Sequence, residues 1–223
     1  MAEAVHPLRI AHRSYRDAGK GNTIADIRRA IGLGADAIEL DVRRRRDGCL
    51  VLHHDDANRP DAPTLEEALV VARESDVLLD LDLKVDGLGI DVAEIVSRLS
   101  IARRVVCTGT QWDDVARVRS GAPGSRAGVT VPRKGSGLLV QASVRATERA
   151  RLLRRLDSIA RAFSPDIVAL NHHLASRRVV ERVHALGAHV WVWTVDDPRD
   201  LDRVISLGVD GICSDRPVSH GLA

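Results

Sequence analysis

Short apolar runs alternate with amphipathic stretches along the whole chain. The runs are five to eight residues long and rich in Val, Ile and Leu, which is typical of buried strands. We predict strands at residues 8–12, 37–42, 77–84, 104–108, 127–131, 166–171, 189–195 and 209–214. The stretches between them carry apolar residues at helical spacing and predict helices at 23–33, from 64 onward, and at 91–99, 111–119, 141–162, 175–186 and 198–207.

Turn and capping residues fit this division. Asp47-Gly48 predicts a turn that leads into a strand extension at 49–54. Asn22 or Thr23 can cap the first helix, which Gly34 ends, and the Thr64 to Glu67 segment has the form of a capping box.

The alternation of strand and helix predicts an α/β protein with a parallel sheet. Eight such units in 223 residues favour a closed (β/α)8 TIM barrel, slightly shorter than the usual ~250 residues. A doubly wound open sheet is the alternative, although no G-x-G-x-x-G follows the first strand. No linker-like stretch interrupts the pattern, so we predict a single domain over residues 1–223.

Composition narrows the function classes. A 44% hydrophobic fraction is that of a globular protein, and a net charge of +2 with only five aromatic residues predicts no nucleic-acid binding. Three scattered cysteines disfavour a disulfide framework and a cysteine zinc site. No apolar run approaches the ~20 residues of a membrane span and no signal peptide is visible, so we expect no stable membrane insertion and a cytoplasmic location. The oligomeric state is left open.

Polar side chains stand at the ends of the apolar strands, where a barrel carries its chemistry. These positions hold His12, Glu39, Asp41, His54, Asp80, Asp82, Lys84, Asn171, His172, Trp193, Asp196 and Asp215. Three carboxylates that converge from adjacent strands repel each other, and a divalent cation relieves that repulsion. Oxygen ligands favour Mg²⁺ or Ca²⁺, flanking histidines suit acid–base work, and Arg13 suits a phosphoryl group.

Several motifs, in order along the chain, resemble those of the glycerophosphodiester phosphodiesterase family. They are Ala11-His12-Arg13, the run GADAIELDV at 34–42, Asp47-Gly48 with His54-Asp55, Trp193-Thr194-Val195, the run GVDGI at 208–212, and Ser214-Asp215-Arg216-Pro217. The resemblance spans nearly the whole chain.

The resemblance implies roles for individual residues. His12 and His54 would be the catalytic pair, and Glu39, Asp41 and Asp82 would bind the cation. Arg13 and Lys84 would contact the phosphate of a small-molecule phosphodiester. Apart from the resemblance, we predict that Trp193 contacts the substrate. The implied reaction is hydrolysis to an alcohol and a phosphomonoester.

Departures from the family pattern keep two other functions open. Ser14 replaces a glycine, Gly21 stands where the family has a glutamate, and Asp82 replaces a glutamate. An aspartate ligand also resembles the sphingomyelinase D-like phospholipases, which act on lipids and release cyclic phosphates. The loop at 85–89 is short, which leaves room for a larger substrate. A barrel that has lost turnover and only binds a phosphorylated ligand is the alternative of another class.

Some residues have competing interpretations. Asp80 is a rival of Asp82, and the carboxylates of the second strand have possible partners in Arg43 to Arg46. His53 should point away from His54 and be structural. His172 and His173 are ambiguous, and Trp193 is either a core aromatic or a substrate wall. The Gly-rich stretch at 134–137 is read as a loop or lid rather than a phosphate cradle.

Overall fold

The computed structural model describes residues 6–16, 21–132 and 142–217. Its nine strands are β1 (Leu8–Ala11), β2 (Ala37–Arg44), β3 (Leu50–Leu52), β4 (Leu78–Leu83), β5 (Val105–Gly109), β6 (Arg126–Val131), β7 (Ile167–Asn171), β8 (His189–Trp193) and β9 (Gly211–Ser214). The seven α-helices of the described ranges are α1 (Ile24–Gly32), α2 (Leu65–Ala72), α3 (Gly89–Arg98), α4 (Trp112–Gly121), α5 (Ala142–Phe163), α6 (Arg177–Ala185) and α7 (Pro198–Ser206). The predicted loop at 134–137 lies outside the described residues.

Eight parallel strands close into a barrel. The sheet runs β1-β9-β8-β7-β6-β5-β4-β2, and a further pairing of β1 with β2 closes it. β3 pairs antiparallel with β2 and stands outside the closed barrel. The (β/α)8 prediction is therefore confirmed, and the open doubly wound alternative is wrong.

Capping residues fix the starts of the two helices for which the sequence offered a cap. Thr23, not Asn22, caps α1, since its side chain accepts from the Asp26 N–H. The capping box at Thr64 and Glu67 forms as predicted. α3 begins at Gly89, two residues before the predicted start. The sequence did not reveal this start because the preceding residue, Leu88, has no side chain that could cap the helix.

The apolar core has two layers. The larger layer lies between the strands and the surrounding helices, and includes fully buried Ile27, Leu69 and Val92. The smaller layer fills the barrel interior with Ile10, Ala37, Val106, Ile167, Ala169, Trp191 and Cys213. Gly211 is required opposite Trp191, because a Cβ there would lie 2.6 Å from the indole Cδ1 atom. The filled interior directs any ligand to the carboxyl end of the strands.

Candidate active site at the mouth of the barrel

A cavity of about 290 Å³ opens at the carboxyl ends of the strands. Seven of the eight residues proposed for the site line it, namely His12, Arg13, Glu39, His54, Asp82, Lys84 and Trp193. The eighth, Asp41, is fully buried beneath it. The structure therefore brings together residues from β2, β4, β8 and the segments that follow β1 and β3.

Strand register places the carboxylates. Asp41 on β2 lies directly opposite Asp82 on β4, and Glu39 lies opposite Asp80. Glu39, Asp41 and Asp82 each present an oxygen within 4.8 Å of the others. Asp80 is buried one step deeper, where its carboxylate accepts a 2.8 Å hydrogen bond from the Thr108 hydroxyl. The geometry thus favours Asp82 over Asp80 as the third member of the cluster.

Lys84 lies among these carboxylates. Its Nζ is 2.7 Å from Asp41 Oδ1 and also bonds Asp82. Burial acts to raise the pKa of Asp41, but the Lys84 ammonium and the Asn22 amide lower it to about 2. Burial and the neighbouring Asp41 charge raise the pKa of Glu39 well above its usual range. Burial and like charge thus disfavour the ionised form of Glu39, and added positive charge at this point would favour it.

The residues present fit a hard divalent cation. The cluster is made of oxygen donors alone. Asp41 Oδ1 is buried without a hydrogen bond of normal geometry, despite the approach of Lys84. Arg13 Nε, 3.4 Å from Asp41 Oδ2, is buried and likewise unbonded. The Asp41 oxygen is thus free to ligate a cation, whereas Arg13 Nε, a donor only, can serve an anionic group.

The segment after β1 explains the departure at Gly21, but not the one at Ser14. Arg13, Ser14 and Tyr15 all have positive φ, and the Arg13 N–H donates to Glu39 Oε2 at 2.8 Å. Ser14 has φ 68, a conformation that favours the glycine of the family motif. Gly21 has φ +72, and a Cβ there would lie 2.6 Å from the Arg13 carbonyl oxygen. Glycine at position 21 thus fits the close approach of two loops.

Asn22 has a site role that the sequence did not reveal. Its Nδ2 donates to Asp41 Oδ2 at 2.7 Å, and its Oδ1 accepts from the Asp41 N–H at 3.1 Å. Asn22 is buried and holds the Asp41 carboxylate in place. The sequence offered it only as a helix cap, and its place directly after Gly21, where the chain departs from the family pattern, was the one available signal.

His12 is held by an aspartate from the far end of the chain. Its Nδ1 lies 2.6 Å from Asp215 Oδ1, which leaves Nε2 as the nitrogen available to a ligand. Asp215 is fixed in turn, since its N–H donates to Asp196 at 2.8 Å. Burial acts to raise the pKa of Asp215, but its bond to His12 lowers it overall, so the carboxylate stays ionised beside the imidazole.

His54 lies two residues beyond β3. Its Nδ1 is 2.6 Å from Asp55 Oδ1, and its carbonyl accepts a 2.7 Å bond from Arg43 Nε. His53 Nδ1 accepts from the backbone N–H groups of Asp55 and Asp56, as expected of a structural residue. Arg43 thus holds the segment that contains His53 and His54, rather than neutralising the carboxylates of β2.

Arg44 and Arg45 pair with acids outside the site. Arg44 pairs with Asp91 and Arg45 with Asp47. These arginines are therefore engaged outside the carboxylate cluster.

Trp193 lines the cavity, and its indole N–H is buried without a hydrogen-bond partner. Trp193 therefore offers a donor beside the cavity.

A second cluster joins His172, His173 and Asp200. Arg203 already donates to Asp200 at 2.9 Å and to the His172 carbonyl at 3.1 Å. Burial and the neighbouring His173 lower the pKa of His172 to about 4. A guanidinium therefore occupies the place of a cation in this cluster.

The comparisons with known proteins agree with this geometry. The sequence profile described as the glycerophosphoryl diester phosphodiesterase family matches residues 12–88 and 90–219. A glycerophosphodiester phosphodiesterase of Caldanaerobacter subterraneus is 27% identical, with 94% of each chain covered. A phosphodiesterase of Oleispira antarctica, solved with the product sn-glycerol-3-phosphate, has a TM-score of 0.73 at 20% identity and covers 96% of this chain and 95% of its own.

A second solved structure shares the fold. The glycerophosphodiester phosphodiesterase of Thermotoga maritima has a TM-score of 0.71 at 20% identity, covering 96% of this chain and 97% of its own. The profile match extends over most of the sequence, and it includes both histidines and all three clustered carboxylates. The resemblance drawn from the motifs is thereby confirmed, and the chain belongs to the glycerophosphoryl diester phosphodiesterase family.

Proposed function

We propose that this protein hydrolyses glycerophosphodiester-like substrates to an alcohol and a phosphomonoester. One observation carries the proposal: His12 and His54 line the same cavity as the carboxylate cluster, with Arg13 and Lys84 beside it. The cavity therefore offers two acid–base groups and two cationic side chains to one phosphate.

The two histidines divide the proton transfers. One takes a proton from the nucleophile and the other gives a proton to the departing alkoxide. Each has its Nδ1 against a carboxylate, so each presents Nε2 to the substrate. Arg13 and Lys84 hold the phosphoryl oxygens, and Trp193 packs against one of the alcohols.

Glu39, Asp41 and Asp82 would hold one divalent cation, Mg²⁺ or Ca²⁺. When bound, such a cation neutralises charge on the phosphoryl oxygens. Lys84 Nζ forms ion pairs with two of the three carboxylates, so it is placed to move from them to the phosphate.

A substrate panel tests the proposal. Glycerophosphocholine, lysophosphatidylcholine and a chromogenic diester are assayed with Mg²⁺, with Ca²⁺ and with EDTA. We expect cation-dependent turnover, and phosphorus NMR of the products shows whether a cyclic phosphate is released instead of a monoester. Turnover that survives EDTA would contradict the cation role, and tight phosphate-ligand binding without product would favour the binding-only barrel.

None of the helices in the described ranges is long and apolar enough to cross a membrane. A cytoplasmic location and a single domain over 1–223 are proposed as well. The three free cysteines fit a reducing compartment, and cell fractionation together with limited proteolysis checks both statements.

A further inference from the structure

Two of the clustered carboxylates have one oxygen engaged by a donor from the segment between β1 and α1. Glu39 Oε2 accepts from the Arg13 N–H at 2.8 Å. Asp41 Oδ2 accepts from the Asn22 amide at 2.7 Å, and Arg13 Nε lies 3.4 Å from the same oxygen. In both residues the protein thus takes up one carboxylate oxygen and leaves the other.

The third carboxylate, Asp82 on β4, follows the same pattern with a donor from β6. The Thr130 hydroxyl donates to Asp82 Oδ1 at the long distance of 3.5 Å. The Lys84 ammonium lies against two of the oxygens that remain, Asp41 Oδ1 and Asp82 Oδ2. One positive group thus meets the remaining oxygens of both residues, which marks the point where a cation can be held.

Asn22 is the most firmly held of these donors. Its side chain is buried, and its Oδ1 also accepts from the Asp41 N–H at 3.1 Å. Its own N–H donates to the Arg13 carbonyl at 2.7 Å, with its backbone at a φ of 57. Asp41 is fully buried, so its side chain cannot turn without leaving the Asn22 amide unpaired away from water. Asn22 therefore keeps Oδ2 of Asp41 bonded and Oδ1 toward the cluster.

A set of single carboxylate oxygens distinguishes between hard cations. Mg²⁺ prefers an octahedron of oxygens at short distances and keeps several of its waters, so single carboxylate oxygens suit it. Ca²⁺ takes more oxygens at longer distances, and commonly both oxygens of one carboxylate. Donors that occupy the second oxygen of each carboxylate withhold the additional ligands that Ca²⁺ uses. The hydrogen bonds around the cluster thus favour the smaller cation.

We propose that the donors around the carboxylate cluster, Asn22 above all, make the site selective for Mg²⁺ over Ca²⁺. Asn22 is then a positioning residue, because it acts on the cation through Asp41 and does not touch it. The inference rests on the proposed function for the presence of a cation, and it names which of the two cations the site takes.

Calorimetry with the metal alone tests the selectivity. Mg²⁺ and Ca²⁺ are titrated separately into the metal-free whole chain, and the wild-type protein should bind Mg²⁺ at least about tenfold more tightly. Asn22→Gly keeps the positive φ but removes both side-chain bonds, so the Kd for Mg²⁺ should rise about tenfold. The Kd for Ca²⁺ should change by less than about threefold, because a freed Asp41 can offer it both oxygens.

Two further variants separate positioning from folding. Thr23→Ala removes the cap of α1 beside Asn22, so it should lower Tm without changing either Kd. Thr130→Val removes the donor to Asp82 and keeps the side-chain volume. The ratio of the two Kd values should move in the same direction as in Asn22→Gly, by about threefold. Circular dichroism checks the fold of each variant, and Thr130→Val carries the test where Asn22→Gly is unfolded.

The outcomes separate this inference from the proposed function. Selective Mg²⁺ binding by a protein that hydrolyses no diester would overturn the proposed function and support the selectivity. Ca²⁺ bound as tightly as Mg²⁺, binding of neither cation, or an equal loss of both affinities in Asn22→Gly would overturn the selectivity, whatever the diester assays give.

Discussion

The two ends of β9 carry the same pair of residue types with different surroundings. Asp210 precedes the strand and lies 2.8 Å from His184, whereas Asp215 follows it and lies 2.6 Å from His12. The first pair lies at the amino end of the barrel, and the second lies at the mouth.

The Asp210–His184 pair at the amino end holds neighbouring strands and a helix together. Asp210 also accepts a 2.7 Å bond from the Val190 N–H and contacts His189, so it ties β8, β9 and α6 together. Asp36 and Asp166 act similarly, each accepting from the N–H of a neighbouring strand. At this end every carboxylate named has its partners, and none of them lines the reaction cavity.

The Asp215–His12 pair at the mouth of the barrel faces the reaction cavity and its cluster of carboxylates. The His12 side chain is 14% exposed against 39% for His184, and it lines the reaction cavity. The comparison predicts that the strand end, not the pair itself, decides between stability and chemistry. The following substitutions test this distinction.

The largest contrast in turnover is expected between variants of His12 and His184. His12→Ala should reduce turnover by about two orders of magnitude or more, because an acid–base group is removed. His184→Ala should leave kcat within about twofold. Steady-state assays on one diester compare them, and near-normal turnover in both His12→Ala and His54→Ala would refute the catalytic assignment.

The two aspartates should differ next. Asp215→Asn keeps the size of the side chain but removes the charge that orients His12, so kcat should fall roughly ten- to hundredfold. KM should change little, and the limb of the pH–rate profile that depends on His12 should move. Asp210→Asn is the matched control, and an identical profile change in both variants would rule out a positioning role.

Asp210→Asn should act on stability instead. Burial acts to raise the pKa of Asp210, but the Val190 N–H and His184 lower it more. A depressed folded-state pKa stabilises the fold above the unfolded value of about 4, and this contribution is lost as the pH falls through the folded pKa. Urea unfolding should therefore show a loss of about 1 kcal/mol at pH 7 that shrinks below about pH 4. A loss that grows in acid would contradict this sign.

The smallest effect is expected at His53. Its Nδ1 accepts two backbone N–H groups in an exposed turn, where water can replace it. His53→Ala should cost about 0.5 kcal/mol or less and reduce turnover by less than about threefold. A loss as large as that of His54→Ala, measured in the same assay, would show that the turn itself sets the catalytic geometry.

The fold could be predicted because each unit carries its own local signal. Alternating apolar runs and helical periods need only neighbouring residues, and the strand positions held to within about two residues. The capping box at Thr64 was visible for the same reason. The start of α3 was not, because Leu88 contributes no capping side chain.

The site could be predicted only in part. Residues within strands, such as Glu39, Asp41 and Asp82, follow from alternation once the barrel is accepted. The bonds of Asn22 to Asp41 and of Asp215 to His12 depend on loop conformations with positive φ and on pairing across 203 residues. Such contacts have no local pattern, so they emerge only from the closed structure.

The hairpin that precedes His54 affects how the protein responds to heating. β3 has three residues, pairs with a single barrel strand through three register positions, and bridges to Thr64. Although its three residues are buried, we expect a segment that pairs with one barrel strand only to open locally at a lower free energy than the closed barrel unfolds. Heating should therefore first remove one histidine from the site while the barrel remains folded, so that inactivation is reversible and precedes melting.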